Sequence, residues 1–193
     1  SHFYLLSAAS AELRDLDHLS QQVHVGEQVE IRNSTEERGV IVLAGPRARD
    51  VLGSLTDASL ESADFPWRSA QEITIAGVAT LALRINYVGE LGWELHPAMA
   101  DLPSLYAAIW AAGEAHGIAN FGLYALNSLR MEKAYRGWGA ELTNEVTMLE
   151  ADMARFFGSA KEDFVGKAAT ETGEAAPLRL VYFEVDAENA DVR

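Results

Sequence analysis

The stretch Arg84-Ile85-Asn86-Tyr87-Val88-Gly89-Glu90-Leu91-Gly92-Trp93-Glu94-Leu95-His96 constrains the fold of this chain more than any other. Leu81, Leu83 and Ile85 alternate before it and Trp93 and Leu95 alternate within its second half, the period of strands that bury one face. Gly89 and Gly92 supply the backbone freedom that a tight reversal needs. The pattern predicts a hairpin. A loop centred between Glu90 and Leu91 places Tyr87 directly opposite Glu94, with both side chains on one face. Such a carboxylate and phenol are either a solvated pair on an exposed sheet face or an acceptor set for a ligand with two parallel N–H donors. Charge-assisted hydrogen bonds of the second kind are roughly twice as strong as neutral ones.

The rest of the chain supplies partners for this hairpin. Phe3 to Leu6 reads as a strand, and Ala9 to Gln22 as a helix with Leu13, Leu16 and Leu19 on one stripe. Val29-Glu30-Ile31 and Gly39 to Ala44 read as strands, and a helix opened by Gly45-Pro46 buries Val51, Leu52 and Leu55. Glu72 to Ile75 and Val78 to Leu81 flank Ala76-Gly77, a second hairpin signal. Asp101 is placed to cap a helix that carries Leu105, Ile109 and Ala112, and Gly117 can close it in the left-handed conformation. A further helix runs from about Leu123 to Lys133, and Tyr135-Arg136-Gly137-Trp138-Gly139 reads as a loop. The order strand, helix, strand, strand, helix therefore occurs twice, an α+β class with a pseudo-repeat of fold but not of sequence. After the polar stretch Thr170 to Pro177, Leu178 to Val185 is a strand pattern with no later partner.

A chain of 193 residues can hold one large domain or a domain plus a fragment. Its formal charge of −14, with no run of Lys and Arg, would repel phosphate backbones and acidic head groups, which argues against nucleic acid and membrane surfaces. No apolar run reaches the roughly 20 residues that span a bilayer. The start Ser1-His2-Phe3-Tyr4 lacks the pattern of a signal peptide, so a cytoplasmic setting is expected. The absence of cysteine excludes disulfides and thiol catalysis. His2, His18, His24, His96 and His116 are scattered without paired metal-ligand spacing, so no metal site is assigned. Neither a Gly-x-Ser-x-Gly elbow nor a dinucleotide-binding glycine turn is present.

Tyr87-Val88-Gly89-Glu90-Leu91-Gly92-Trp93-Glu94 resembles the Tyr-x-Gly-Glu-x-Gly-aromatic-Glu motif of the aminomethyltransferase family, which includes the glycine cleavage T-protein. Tyr124 to Gly139, with Leu129-Arg130-Met131-Glu132 and Trp138-Gly139, is similar to the corresponding block of dimethylglycine and sarcosine dehydrogenases, where a folate domain follows an FAD oxidase domain. Phe3-Tyr4-Leu5, Leu43-Ala44-Gly45-Pro46, Phe65-Pro66-Trp67 and Asp163-Phe164-Val165-Gly166-Lys167 match in order, so the resemblance covers nearly the whole chain.

The resemblance implies two ferredoxin-like halves of a folate-binding domain over residues 1–170, truncated at both ends, with 171–193 as linker and first strand of a C-terminal barrel domain. It implies tetrahydrofolate as cofactor, bound by Tyr87, Glu94 and Arg130, the Glu94 carboxylate taking the 2-amino-pyrimidinone edge of a pterin. FAD belongs to an oxidase domain of the same parent protein, absent from this chain. The parent reaction passes the carbon of an oxidised N-methyl amine to tetrahydrofolate. A free-standing aminomethyltransferase and a non-catalytic folate-binding or interaction module are the alternatives. The family's catalytic aspartate falls upstream of Ser1, so no residue here is assigned a catalytic role.

Arg130, Lys133 and Arg136 form either a solvated basic edge or a local positive spot for an anionic folate, effective within a Debye length of about 8 Å. Trp93, Trp138 and Tyr135 are either core residues or a flat wall for the ligand's rings. The chain departs from the family pattern at Ala134 and Asp152, where glycine is usual, and at Met148, where proline is usual.

Overall fold

The computed structural model describes residues 2–158, 160–171 and 178–184. The chain divides into two compact units, Ser1–Leu129 and Arg130–Arg193.

The first unit is built on a four-stranded antiparallel sheet of β1 (Ile41–Ala44), β2 (Ala70–Ile75), β3 (Val78–Leu83) and β4 (Gly92–Pro97), in the order β1-β4-β3-β2. β4 is the strand between two partners: Trp93 pairs with Leu43, and Leu95 pairs with Ile41 on one side and Ala82 on the other. Because side chains alternate, Trp93 and Leu95 share a face with Leu43, Ala82, Ile73 and Ile75. Two helices cover that face, α2 (Ala48–Gly53) through Val51 and Leu52 and α3 (Leu102–Gly113) through Leu105 and Ile109. Leu60 and Phe65 close the core from the connection between α2 and β2. Full burial of each such side chain is worth about 1.5–3 kcal/mol, so this face decides the register.

Local chemistry explains most element boundaries. Ala76-Gly77 joins β2 to β3 with φ of 49° and 82°, both left-handed, as a two-residue hairpin turn requires. A 3₁₀ turn at Glu114–His116 extends α3, and Gly117 closes it at φ 72°. Asp101 precedes α3, yet its side chain makes no capping bond. Helix α2 begins at Ala48, after the turn made by Gly45, Pro46 and Arg47.

Two expectations fail. Phe3 to Leu6 and Val29 to Ile31 form no strands, so the first strand, helix, strand, strand, helix half is not present as such; its helices α1 (Glu12–Gln21) and α2 and its last strand, β1, form. The apolar residues of that region stay largely outside, with Phe3, Leu5, Leu13, Val29 and Ile31 all exposed. A strand needs a neighbour for its backbone groups, and the four sheet strands all come from residues 41–97. The sheet-bearing half itself has three strands between its helices rather than two.

The second unit contains the end of α4 (Leu123–Glu132), a short α5 (Lys167–Glu171) and loops. Thr147 and Glu150 form a reciprocal box, the Thr147 N–H donating to the Glu150 carboxylate at 2.7 Å and the Glu150 N–H to the Thr147 hydroxyl at 3.2 Å. Residues 178–184 are not in a strand, and Val185 and 172–177 lie outside the described residues. Ala134 and Asp152, the two positions where the resemblance leads one to expect glycine, have φ of 59° and 54°. The left-handed conformation costs an L-residue roughly 1–2 kcal/mol.

Two expected outcomes follow from these backbones. A Cβ at Gly92 would lie 2.6 Å from the Leu43 carbonyl oxygen and 2.9 Å from Ala44 Cα, so Gly92→Ala forces β1 and β4 apart. It is expected to destabilise the chain by about 1–3 kcal/mol in chemical denaturation. Ala134→Gly relieves a left-handed alanine and is expected to stabilise by about 0.5–1 kcal/mol after the entropy of glycine is discounted.

Candidate functional site

The face of the sheet opposite the core carries the polar residues of β4. Glu94 lies between Val42 of β1 and Leu83 of β3, with its side chain 22% exposed, and His96 beside it is fully buried. Tyr4 covers the histidine edge-on, ring centroids 5.7 Å apart, with its hydroxyl 3.3 Å from His96 Nδ1. The Arg38 guanidinium sits 5.8 Å from the Tyr4 ring centre and donates to the His96 carbonyl at 3.2 Å. His96 Nε2 is 3.5 Å from Glu94 Oε2, near enough for an ion pair but making no hydrogen bond among the described residues.

Tyr87 is not opposite Glu94. The β3–β4 ladder ends at the Leu83–Glu94 pair, and residues 84–91 form a wide loop rather than a tight turn. Asn86 is the cause: its Oδ1 accepts the N–H groups of Val88, Gly89 and Glu90 at 3.0, 2.9 and 3.3 Å, and its Nδ2 donates to the Glu90 carbonyl. Backbone groups that the hairpin needed for pairing are taken by one side chain. Arg84 reinforces the departure by donating to the Phe65 carbonyl and to Ser62 Oγ. Tyr87 lies in this loop, half-buried. Gly92, for its part, serves the close approach of two strands and not the turn.

Trp93 is no ligand wall. It is fully buried, edge-on to Phe65 at 6.3 Å, with the Arg84 guanidinium 5.9 Å from its ring. Trp138, in the second unit, is 60% exposed.

The basic cluster of the second unit is structural in large part. Arg130 is buried, and its Nη1 donates to the Tyr135 carbonyl at 2.9 Å and to Glu141 Oε2 at 2.7 Å, while Glu141 also accepts the Gly137 N–H at 2.7 Å. Arg136, also buried, donates to the carbonyls of Ala151 and Ala134 and to Asp152 Oδ2 at 2.6 Å. Neither is a solvated edge, because a buried guanidinium must find acceptors. Glu141 and Asp152 stand too far along the sequence to be recognised as those acceptors.

A cleft of about 530 Å³ opens beside edge strand β1, walled by Tyr106 and Trp110 of α3, by Phe121 and by the turn before α2. At its lining Arg47 Nη2 is 3.2 Å from His116 Nδ1, and Arg47 Nε is 2.6 Å from Asp50. Sequence reading missed it, since Arg47 and His116 meet only in the folded chain. It is lined by none of Tyr87, Glu94 and Arg130.

Mixed helices and strands around an antiparallel sheet, with a partly exposed carboxylate on the face of β4 opposite the core, define the class as an α+β domain. Residues 1–161 match the GCVT N-terminal domain, and the chain belongs to that family. It is 40% identical over 193 residues to mitochondrial dimethylglycine dehydrogenase of Homo sapiens, covering 98% of this chain and 22% of that protein. Mitochondrial sarcosine dehydrogenase of Mus musculus is 35% identical, with 96% and 21% covered, and aminomethyltransferase of Anoxybacillus flavithermus is 35% identical, with 95% and 50% covered. The chain thus spans about a fifth of the dehydrogenases' length and half of the transferase's. Heterotetrameric sarcosine oxidase from Corynebacterium sp. U-96 overlaps 55% of this chain and 53% of its own matched chain, at 23% identity and a TM-score of 0.47.

The cytoplasmic expectation is overturned, because the dehydrogenase relatives are mitochondrial proteins. Among the described residues no helix is long and apolar enough to cross a membrane.

The Arg130–Glu141 pair makes a pH dependence. Burial opposes ionisation of Glu141, but the Arg130 hydrogen bond and the Gly137 N–H outweigh it and hold the carboxyl below its ordinary value of 4.5. A depressed folded-state value means that the unfolded chain takes up the proton first as pH falls. The pair's contribution is therefore full above about pH 4.5 and fades below it. Melting temperatures from pH 7 to 3 are expected to show wild type more stable than Glu141→Gln at neutral pH, the difference shrinking toward the acid end.

Proposed function

We propose that this chain is the tetrahydrofolate-binding portion of a dimethylglycine or sarcosine dehydrogenase-like protein, serving the transfer of a one-carbon unit from an oxidised N-methyl amine to folate. The observation that supports this reading most is the Glu94 carboxylate. It lies within the family match, on the face of β4 that the core does not use, with its side chain partly open and His96 Nε2 3.5 Å from its Oε2. A carboxylate has about four lone-pair sites, enough for the two parallel N–H groups of a pterin edge. That capacity supports the reading of this face as one that takes a pterin edge.

The folate, when bound, supplies amine nitrogens N5 and N10 as acceptors of the carbon. Glu94 holds and orients the pterin edge, flanked across the sheet by the apolar Val42 and Leu83. Tyr87 and Arg130 are kept in this reading as the resemblance has them. Oxidation of the amine is assigned to an FAD domain elsewhere in the parent protein. The reading extends to the fold: the exposed Phe3, Leu5, Val29 and Ile31 would complete a pair of ferredoxin-like halves in the parent, and residues 171–193 would lead into a barrel domain.

Titration of tetrahydrofolate against Glu94→Gln and Glu90→Gln tests the assignment. The first places an N–H donor against a ligand donor, and is expected to cost about 2–4 kcal/mol, roughly 30- to 1,000-fold in affinity. Glu90 is exposed at the loop, and its substitution is expected to change affinity by less than about threefold. Equal affinities, or a larger loss at Glu90, would remove Glu94 from the site.

A further inference from the structure

We propose that His96 is the positioning residue of Glu94, holding Oε2 through an Nε2–H donor so that the rest of the carboxylate faces the ligand. The inference rests on the folate reading of Glu94 and assigns a role to a residue outside the resemblance motif.

His96 is fully buried, and a buried imidazole nitrogen without a partner loses its hydration without compensation. Its two nitrogens face different groups. Nδ1 is 3.3 Å from the Tyr4 hydroxyl, and Nε2 is 3.5 Å from Glu94 Oε2. A carboxylate only accepts, so the neutral ring satisfies both neighbours in one tautomer: Tyr4 O–H donates to Nδ1, and the ring proton sits on Nε2, toward Glu94. Closing 3.5 Å to hydrogen-bond distance takes a change of about 0.5 Å, within the range of a carboxylate rotation.

The ring has little freedom to do otherwise. Tyr4 packs edge-on against it, Arg38 sits over Tyr4 and binds the His96 carbonyl, and the i, i+2 spacing on β4 keeps Glu94 and His96 on one face. Fixing Oε2 removes the torsional freedom of the carboxylate before the ligand arrives. The remaining lone pairs still suffice for two ligand N–H groups.

Two measurements on this chain test the role. In ¹⁵N spectra of the free chain, His96 Nε2 is expected to be protonated and Nδ1 bare; the reverse tautomer would overturn the proposal. In tetrahydrofolate titrations, His96→Phe keeps a planar aromatic ring, somewhat larger, but removes the donor, and is expected to weaken binding roughly tenfold, about the worth of one hydrogen bond to a charged group. His96→Gln can place an N–H near the Nε2 position and is expected to recover affinity to within about threefold of wild type. In the Glu94→Gln background, His96→Phe is expected to add no further loss. Wild-type affinity in His96→Phe, with Glu94→Gln still weak, would overturn the role of His96 and leave the folate reading standing. Equal losses in the Phe and Gln variants would also overturn it, as a packing effect. Wild-type affinity in Glu94→Gln would remove the folate reading itself. Should His96→Phe not fold, Tyr4→Phe tests the same link, with mixed tautomers and a smaller loss of affinity expected; an unchanged tautomer and affinity would overturn the proposal.

Discussion

The close approach of β4 to β1 at Gly92 is the contact on which the sheet depends. With no side chain there, the backbone of β4 meets Leu43 and Ala44 closely enough to pair, and that pairing fixes the faces of every residue that follows. Trp93 and Leu95 then enter the core, while Glu94 and His96 take the opposite side. A slip of one residue would expose two large apolar side chains, about 1.5–3 kcal/mol each, and drive a carboxylate under α2 and α3. The polar face is thus a consequence of core packing.

Local signals in the sequence were read correctly where the structure is local. Ala76-Gly77 makes the turn expected of it, Gly117 closes the helix, and Leu105 and Ile109 bury the expected side of α3. The hairpin read over Arg84 to His96 misled because a single side chain, Asn86, outcompetes the ladder for three N–H groups. Trp93 could be core or ligand wall by type alone, and only the register of β4 decides. The apolar run at Phe3 to Leu6 and the alternation at Val29 to Ile31 are genuine strand patterns, yet a pattern does not supply a neighbouring strand. Arg130 and Arg136 look like surface charge because their acceptors, Glu141 and Asp152, come from loops with no period to read.

The two positions that the resemblance marks as departures from glycine share a backbone feature. Both Ala134 and Asp152 hold left-handed backbone, the conformation for which glycine is the usual solution. Asp152 offsets some of the strain through its ion pair with Arg136. Ala134 has only its carbonyl, which accepts from the same guanidinium. Arg136 thereby ties both strained positions together within the second unit.

Whether the Glu94 face holds folate is tested most directly by backbone amide shifts during titration of this chain with tetrahydrofolate, a method that also reads weak binding. The largest changes are expected at Glu94 and His96 and in the loop 84–91, with Leu52 and Leu105 in the core nearly still. Largest changes at Arg47, Trp110 and His116, around the cleft beside β1, would contradict a folate site on the Glu94 face.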